Sequence, residues 1–277
     1  MTKQVYQGHL RKMTISHDGG IAEYQVRLDD QLIPINEKIG MPIKIENLGD
    51  IHCIECGRKS KKSFSQGYCY PCFSRLPQCD VCIMSPEKCH YDKGTCRDAS
   101  WGDEFCMQDH IVYLANSSGI KVGITRHSQI PTRWLDQGAM QAMPIARVST
   151  RQLSGLLEVI FKQHVSDKTN WRTLLKQDAI DLDLPAKRDE LFELCHEEIE
   201  ELQEHYGLQA VQLIYDADVN EYKFPIQDYP TKIVSFNLDK NPIAEGVLKG
   251  IKGQYLILDT GVINLRKYTS YSVSIEC

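Results

Sequence analysis

Cysteine is the residue type whose spacing most directly predicts chemistry in this 277-residue chain. Nine of the eleven cysteines lie between positions 53 and 106. The first four have the order Cys53-x2-Cys56-x12-Cys69-x2-Cys72. Each C-x-x-C pair can present two thiolates to one tetrahedral ion, so the two pairs predict a closed four-sulfur zinc site. Such a site supplies folding energy to a loop-rich segment and leaves no open position for catalysis.

A second set of metal-ligand types follows directly. It comprises Cys79, Cys82, Cys89, His90, Cys96, Cys106 and His110. These seven side chains exceed the four ligands that one zinc ion needs. We expect a second structural zinc ion at Cys79, Cys82, Cys89 and Cys96, which are contiguous and evenly spaced. Cys106 or His110 could replace one of them, and His110 could instead cap the strand that it precedes.

The segment after the cysteines predicts a small sheet with a helix. Residues 111–125, IVYLANSSGIKVGIT, contain two β-rich runs on either side of a turn sequence, which is typical of a β-hairpin. A short helix is predicted from Pro131 onward. A clear apolar stripe then predicts a longer helix over residues 152–165. Glu158 lies about 130° from the centre of that stripe, so it is free to face solvent or a site.

This ordered set of residues resembles the GIY-YIG nuclease superfamily. The matching positions are the triplets Ile111-Val112-Tyr113 and Lys121-Val122-Gly123, followed by Arg133, Glu158 and Asn170. The resemblance implies a catalytic site made of Tyr113, Lys121, Arg133, Glu158 and Asn170. It also implies that Lys121, Arg126 and Arg133 bind nucleic acid. Segments such as QGYCYPCF and TRWLDQGA resemble an uncharacterised bacterial family that joins a cysteine cluster to such a core.

The resemblance implies phosphodiester cleavage of DNA or RNA that depends on Mg²⁺ or Mn²⁺. Tyr113 would help to activate water, Glu158 would hold the divalent ion, and Arg133 would contact the scissile phosphate with its planar donor fork. Lys121 stands where the family's second tyrosine belongs. It could bind phosphate, or act as a base if burial lowers its pKa.

Each of these residues also has a structural interpretation. Tyr113 could pack on the sheet, Arg133 could form a surface ion pair, and Glu158 could face solvent. Asn170 could cap a helix. Two other functions therefore stay open: a catalytically inactive nucleic-acid-binding module and a zinc-scaffolded adaptor for protein partners.

Charge is unevenly distributed along the chain, whose net charge is −5. Residues 111–175 carry eight basic and three acidic side chains, whereas residues 176–229 carry four basic and fifteen acidic ones. The first segment predicts a basic face for a polyanion. The second contains a predicted helix over residues 185–206, with Asp183 as its N-cap and Gly207 after its end. Its acidic face would repel a phosphate backbone.

The fold class indicated is α+β, with a zinc-binding module before the GIY-YIG-like core. Both ends of the chain are β-rich and share the order Leu-Asp, then Ile-Asn. We expect the two ends to pair as a composite barrel or sandwich, with chance similarity as the alternative to an internal duplication. The division expected is 1–51, 52–110, 111–180, 181–229 and 230–277.

Apolar patterning also bears on localisation. No run approaches 18 apolar residues, and the start MTKQVYQGHLRKM lacks the apolar core of a secretion signal. We therefore expect a cytoplasmic protein without a membrane partner. Thiols stay reduced in that compartment, which favours zinc over disulfides, with free or redox-active thiols as the alternative. The sequence leaves the oligomeric state open.

Overall fold

A computed structural model describes residues 4–277 as two antiparallel sheets, several helices and a cysteine-rich segment. The strands are β1 Val5–Ser16, β2 Glu23–Leu28, β3 Gln31–Pro34, β4 Pro42–Ile51, β5 His110–Asn116, β6 Ile120–Arg126, β7 Gln141–Val148, β8 Val211–Leu213, β9 Asn220–Glu221, β10 Ile243–Lys252, β11 Tyr255–Leu258, β12 Gly261–Asn264 and β13 Tyr271–Glu276. The α-helices are α1 Tyr70–Arg75, α2 Val81–Met84, α3 Ala99–Phe105, α4 Thr132–Asp136, α5 Arg151–Phe161, α6 Trp171–Leu174, α7 Leu184–Leu194 and α8 His196–Tyr206.

The two ends of the chain form one eight-stranded sheet in the order β12-β11-β10-β4-β13-β1-β2-β3. The last strand, β13, lies between β1 and β4, where Val5 is paired with Glu276 and Ile45 with Ile275. Alternate residues of these strands, such as Ile43, Ile45 and Val273, are buried in one core. The expected pairing of the two ends is therefore confirmed, but it is made within a single sheet with β12 and β3 at its edges, in place of the expected barrel or sandwich.

The second sheet has the order β6-β5-β7-β8, with β9 beside β7. The predicted hairpin is present, since β5 pairs with β6 from His110–Arg126 to Asn116–Ile120. The central strand β5 is buried on both faces. One face, which includes Tyr113, belongs to the core shared with the eight-stranded sheet. The opposite face packs against α5, α7 and α8.

The helices largely follow the predictions, with two corrections. The helix predicted over residues 152–165 is α5, which ends at Phe161 because the chain turns at residues 162–164. The predicted helix over 185–206 is in fact two helices, α7 and α8, because Cys195 leaves helical geometry at φ −111° and ψ 19°. The buried stripe continues through both helices, so the periodicity does not reveal the break. Asp183 caps α7 as predicted by accepting a 2.9 Å hydrogen bond from the Ala186 N–H. Within residues 4–277, no helix has the length and apolarity needed to cross a membrane.

Candidate functional site

The first four cysteines come from a turn and from the start of a helix. Cys53 and Cys56 lie in a turn that is closed by a 2.9 Å hydrogen bond from the Gly57 N–H to the Cys53 carbonyl. Gly57 has φ +70°, a backbone conformation that glycine adopts without strain. Cys69 is the N-cap of α1, and Cys72 lies in its first turn. The C-x-x-C spacing therefore places two thiols on one side of each local structure.

The four sulfur atoms form a compact cluster in which all ligand atoms lie within 4.8 Å of one another. The Cys56 and Cys69 sulfurs are 3.7 Å apart. A tetrahedral ion with zinc–sulfur bonds of about 2.3 Å would separate its ligands by about 3.8 Å. Cys53, Cys69 and Cys72 are buried, whereas Cys56 is exposed. The cluster therefore has the donor type, number and spacing of a structural zinc site.

The thiols of the cluster differ in acidity. Burial opposes ionisation of Cys53, but backbone N–H groups of Cys56, Cys69 and Glu55 outweigh it and lower its pKa to about 6. Burial raises the pKa of Cys72 to about 12. Backbone donors thus favour the thiolate form of Cys53, whereas the buried Cys72 thiol needs the charge of a cation to ionise.

A group of polar residues, here called the polar cluster, is centred on the β5–β6 hairpin and consists of Tyr113, Lys121, Arg133, Gln137 and Glu158. The Tyr113 hydroxyl donates a 3.2 Å hydrogen bond to Oε1 of Gln137, the residue that follows α4. The Lys121 ammonium donates to the same oxygen at 2.5 Å. Tyr113 and Lys121 are both buried. One amide oxygen therefore joins the two hairpin residues that the sequence analysis selected.

A glycine makes room for the tyrosine ring. Tyr113 lies directly opposite Gly123 in the antiparallel pairing. A β-carbon at position 123 would lie 2.7 Å from both Cζ and the hydroxyl oxygen of Tyr113, closer than carbon atoms can pack. The absence of a side chain at Gly123 therefore lets the phenol lie across β6. This contact gives a physical reason for a tyrosine in the first triplet and a glycine in the second.

Arg133 and Glu158 belong to the polar cluster because their charges act on the pKa values of Tyr113 and Lys121. Burial raises the pKa of Tyr113, while the nearby Arg133 guanidinium lowers it. Burial lowers the pKa of Lys121 to about 8, and Arg133 contributes in the same direction while Glu158 opposes it. Burial also raises the pKa of Glu158, with Asp167 adding to the shift. Four of the five residues selected as catalytic thus lie within electrostatic range of one another.

Asn170 and Arg126 lie at opposite ends of the hairpin. Asn170 is exposed and caps α6, its side-chain oxygen accepting hydrogen bonds from the Arg172 N–H at 3.1 Å and the Thr173 N–H at 3.3 Å. Its own N–H donates to the Ser118 hydroxyl in the hairpin turn. Arg126 is the last residue of β6, with its guanidinium 5.1 Å from the centre of the Phe105 ring. Arg126 lies five positions after Lys121 on the same strand, a distance of roughly 17 Å.

Sequence reasoning missed one residue of the polar cluster and two of its electrostatic neighbours. Gln137 follows Arg133 by four residues, a spacing that places two side chains on one helix face, so it could have been found. Asp167 acts on both Glu158 and Lys121 from the loop after α5, where no pattern marks it. Arg266, near the end of the chain, has a pKa that is lowered by burial and then by the nearby Arg133 guanidinium. Only the packing of the two sheets brings Arg266 to this position.

The remaining candidate ligands separate into two neighbourhoods. Cys79 is buried, and Arg97, Cys53 and Glu55 act on its thiol. One cavity is lined by the other four cysteines of the segment, namely Cys82, Cys89, Cys96 and Cys106. His110 is fully buried; its Nδ1 lies 2.7 Å from the Gln108 carbonyl oxygen, and burial lowers its pKa to about 4.

Comparison with known proteins identifies the family. No curated protein and no solved structure matches the chain significantly. A family model described as a protein of unknown function, DUF2797, matches residues 40–273. This range includes the first cysteine cluster, the polar cluster and four complete strands of the eight-stranded sheet, β4, β10, β11 and β12. The chain therefore belongs to the DUF2797 family.

Proposed function

We propose that the protein is a zinc-stabilised endonuclease with a GIY-YIG-type core, which cleaves phosphodiester bonds of DNA or RNA with a divalent metal ion. The observation that carries this proposal is the proximity of Tyr113, Lys121, Arg133 and Glu158. These residues come from β5, β6, α4 and α5, yet Arg133 and Glu158 act on the pKa values of both Tyr113 and Lys121, and Arg133 acts on that of Glu158. Phosphodiester hydrolysis needs this combination of a hydroxyl, cations and a carboxylate.

The cations supply charge for a phosphate. Burial lowers the pKa of Lys121 to about 8, which is above neutral pH, so the ammonium form predominates at pH 7. Arg133 is half-buried on a short helix beside it, where its planar donor fork suits two phosphate oxygens. Burial strengthens both interactions because water screens them less. The two side chains would stabilise the negative charge that develops on the phosphate during cleavage.

Tyr113 and Gln137 would position the reacting groups of the site through their hydrogen bonds. Burial keeps the pKa of Tyr113 above its usual value, so the hydroxyl is neutral at pH 7 and donates a hydrogen bond. Gln137 accepts that bond and also the one from Lys121. The same hydroxyl could orient a water molecule toward phosphorus once substrate draws Lys121 away from the amide. Gln137 would then act as a positioning residue.

The carboxylates fit a hard divalent cation. Glu158 and Asp167 are electrostatic neighbours, and the Asp167 carboxylate adds to the rise in the pKa of Glu158 that burial causes. Carboxylate oxygens are the ligands that Mg²⁺ and Mn²⁺ prefer in proteins. Glu158, with help from Asp167, would hold the ion, which when bound supplies positive charge and lowers the pKa of a bound water molecule.

The first cysteine cluster would serve as a structural zinc site. Four thiolates occupy every position of a tetrahedral ion, so no position is left for substrate. The cluster follows β4 of the eight-stranded sheet directly, and Ser63 donates a hydrogen bond to the Thr269 carbonyl near β13. Zinc bound here would tie the cysteine-rich segment to that sheet.

A second candidate function is a nucleic-acid-binding module without cleavage. The observation that favours it is the burial of both hairpin residues, Tyr113 and Lys121, against a single amide oxygen. A tyrosine and a lysine held in this way would stabilise the β5–β6 hairpin, while Arg126 and Arg133 would bind phosphate. Such binding would weaken steeply with salt, because phosphate contacts release counterions. An adaptor for protein partners would lack that dependence.

The experiment that tests cleavage uses the zinc-loaded full chain with Mg²⁺ or Mn²⁺. Supercoiled, single-stranded and branched DNA and a structured RNA would be incubated with wild type, Glu158→Gln and Glu197→Gln. Glu197 is an exposed glutamate on α8, so its variant is a matched control for removal of one carboxylate. We expect cleavage by wild type and the control, with a loss of at least 100-fold in Glu158→Gln.

Two outcomes would contradict the cleavage proposal. Equal cleavage by wild type and Glu158→Gln would assign the activity to another site or to a contaminant. No cleavage of any substrate, combined with salt-sensitive binding that Arg133→Gln weakens, would favour the binding module. Circular dichroism and zinc content of each variant would establish that the proteins compared are folded and metal-loaded.

A further inference from the structure

The later cysteines of the metal-rich segment surround a cavity of their own. Cys82, Cys89, Cys96 and Cys106 line it together with Asp80, Tyr91 and Trp101. Its volume is about 20 Å³, close to that of one water-sized sphere. A space of this size, bordered by four cysteine residues, has room for a single ion and for little else.

Cys79 is not among the residues that line this cavity. It lies beside the first cluster instead. Its N–H donates a 3.1 Å hydrogen bond to the Leu76 carbonyl, and Leu76 packs against Cys53, Cys69 and Cys72. Arg151 and Arg126 are the positively charged neighbours of Cys106.

A rival ligand set shares the cavity wall. Among the described residues, the ligand atoms of Asp80, Cys82 and His90 lie within 4.8 Å of one another, whereas the four cavity cysteines do not form so tight a group and would have to close around an ion. The Asp80 carboxylate, however, accepts a 2.6 Å hydrogen bond from the Val81 N–H and pairs with Arg97 at 2.9 Å. His90 Nδ1 lies 2.9 Å from the Thr95 hydroxyl oxygen. Because Asp80 already has a cation and a backbone donor, the thiols are the better donors for a soft ion.

The same segment is fixed to the beginning of α5. The Arg151 N–H donates to the Cys106 carbonyl at 2.8 Å, and the Arg151 guanidinium donates to the Ile83 carbonyl at 2.7 Å. Gly155 lies directly on the turn between Cys82 and Cys89, since a β-carbon there would be 2.5 Å from the Glu87 nitrogen. Glu158 follows on the same helix, less than one turn after Gly155.

We propose that Cys82, Cys89, Cys96 and Cys106 bind a second structural metal ion, zinc by its donor chemistry, and that this ion holds α5 in place. The two arginines beside Cys106 offset part of the negative charge that four thiolates carry. Cys106 precedes β5 by only four residues, so the ion anchors the strand of Tyr113 as well as the helix of Glu158. The metal site itself does not depend on whether the protein cleaves nucleic acid.

Metal counting of the full chain tests the ligand assignment. Zinc per folded chain would be measured by elemental analysis for wild type, Cys106→Ser, Cys89→Ser and Cys79→Ser. We expect two ions in wild type and in Cys79→Ser, the matched control, and one ion in the other two variants. One ion in wild type would overturn the proposal. So would two ions in Cys106→Ser, or one ion in Cys79→Ser.

A measurement on wild type covers the case in which a variant fails to fold. Alkylation of the native protein followed by mass spectrometry would compare zinc-loaded and chelated samples. We expect the partly exposed thiols Cys82, Cys89 and Cys96 to react only after chelation. Rapid reaction of these thiols in the protein loaded with two ions would overturn the assignment. Retention of two ions by Asp80→Asn and by His90→Gln would exclude Asp80, Cys82 and His90 as the ligand set. Loss of an ion in either variant would support that set and overturn the assignment to the four cysteines.

Hydrogen exchange tests the positioning role. In Cys106→Ser, amides of residues 151–161 should lose protection, whereas those of β10–β12 should keep the wild-type value. Unchanged protection of α5 in a variant that has lost one ion would show that the metal does not hold the helix. This readout does not depend on nucleic-acid cleavage, so its failure is distinguishable from failure of the proposed function.

Discussion

The first cysteine cluster and the polar cluster are assembled in opposite ways. The cluster of Cys53, Cys56, Cys69 and Cys72 comes from twenty consecutive residues and needs only a turn and a helix start. The polar cluster joins β5, β6, α4 and α5, and its electrostatic neighbours Asp167 and Arg266 come from a loop and from the end of the chain. A site encoded by local spacing can thus be identified from the sequence, whereas a site assembled by packing is identified only in part.

Loss of metal at the first cluster should have the largest effect, because the buried residues of the segment's small core are the ligands Cys53, Cys69 and Cys72 themselves. Structural zinc contributes on the order of 10 kcal/mol in small modules. We expect Cys72→Ser to lower zinc content by one ion and to unfold residues 53–75, as measured by elemental analysis and hydrogen exchange. Cys277→Ser, a control outside the cysteine-rich segment, should change neither. A natively protected segment in the metal-free variant would show that local packing suffices.

Filling the space over Gly123 should disturb the polar cluster next most strongly. Gly123→Ala places a β-carbon against the Tyr113 ring, so we expect a loss of about 1–3 kcal/mol in the free energy of unfolding. Urea denaturation measures the change, and Gly20→Ala in an exposed loop is the control. The double variant Gly123→Ala/Tyr113→Ala should be less destabilised than the sum of the single variants. Full additivity would contradict the contact.

The pH dependence of nucleic-acid binding should report on Lys121. Its pKa of about 8 means that the ammonium is charged below pH 8 and neutral above it. If the charged form binds phosphate, affinity falls as the pH rises from 7 to 9, by about threefold to tenfold for one lost contact. Fluorescence anisotropy measures the affinity, and Lys121→Arg should remove the dependence. Activity that increases above pH 8 would instead assign Lys121 as a base.

The smallest effect is expected at Asn170, which distinguishes capping from catalysis. Asn170→Ala removes the cap of a short helix and should cost about 1 kcal/mol or less, measured by thermal or urea denaturation. Asn170→Ser keeps a capping oxygen and should restore most of that stability. Cleavage that is lost in both variants, while stability is restored in the second, would give Asn170 a catalytic role beyond its cap.

The sequence alone determined the local features, for physical reasons that act over short distances. Ligand spacing gave the first cluster, turn chemistry and β-rich runs gave the β5–β6 hairpin, and apolar periodicity gave α5. Asp183 was identifiable as a cap because its hydrogen bond is made three residues away. The alternating pattern at both ends indicated strands that pair, although it did not give the register.

Only the tertiary structure decided which distant groups meet. The shared hydrogen bonds of Gln137, the approach of Asp167 to Glu158, and the separation of Cys79 from the other late cysteines all depend on how elements pack. The break at Cys195 was hidden because the buried stripe runs through both helices. Burial, which sets the pKa values of Tyr113, Lys121 and Glu158, is a property of the packed molecule, because it depends on residues that are far apart in the chain.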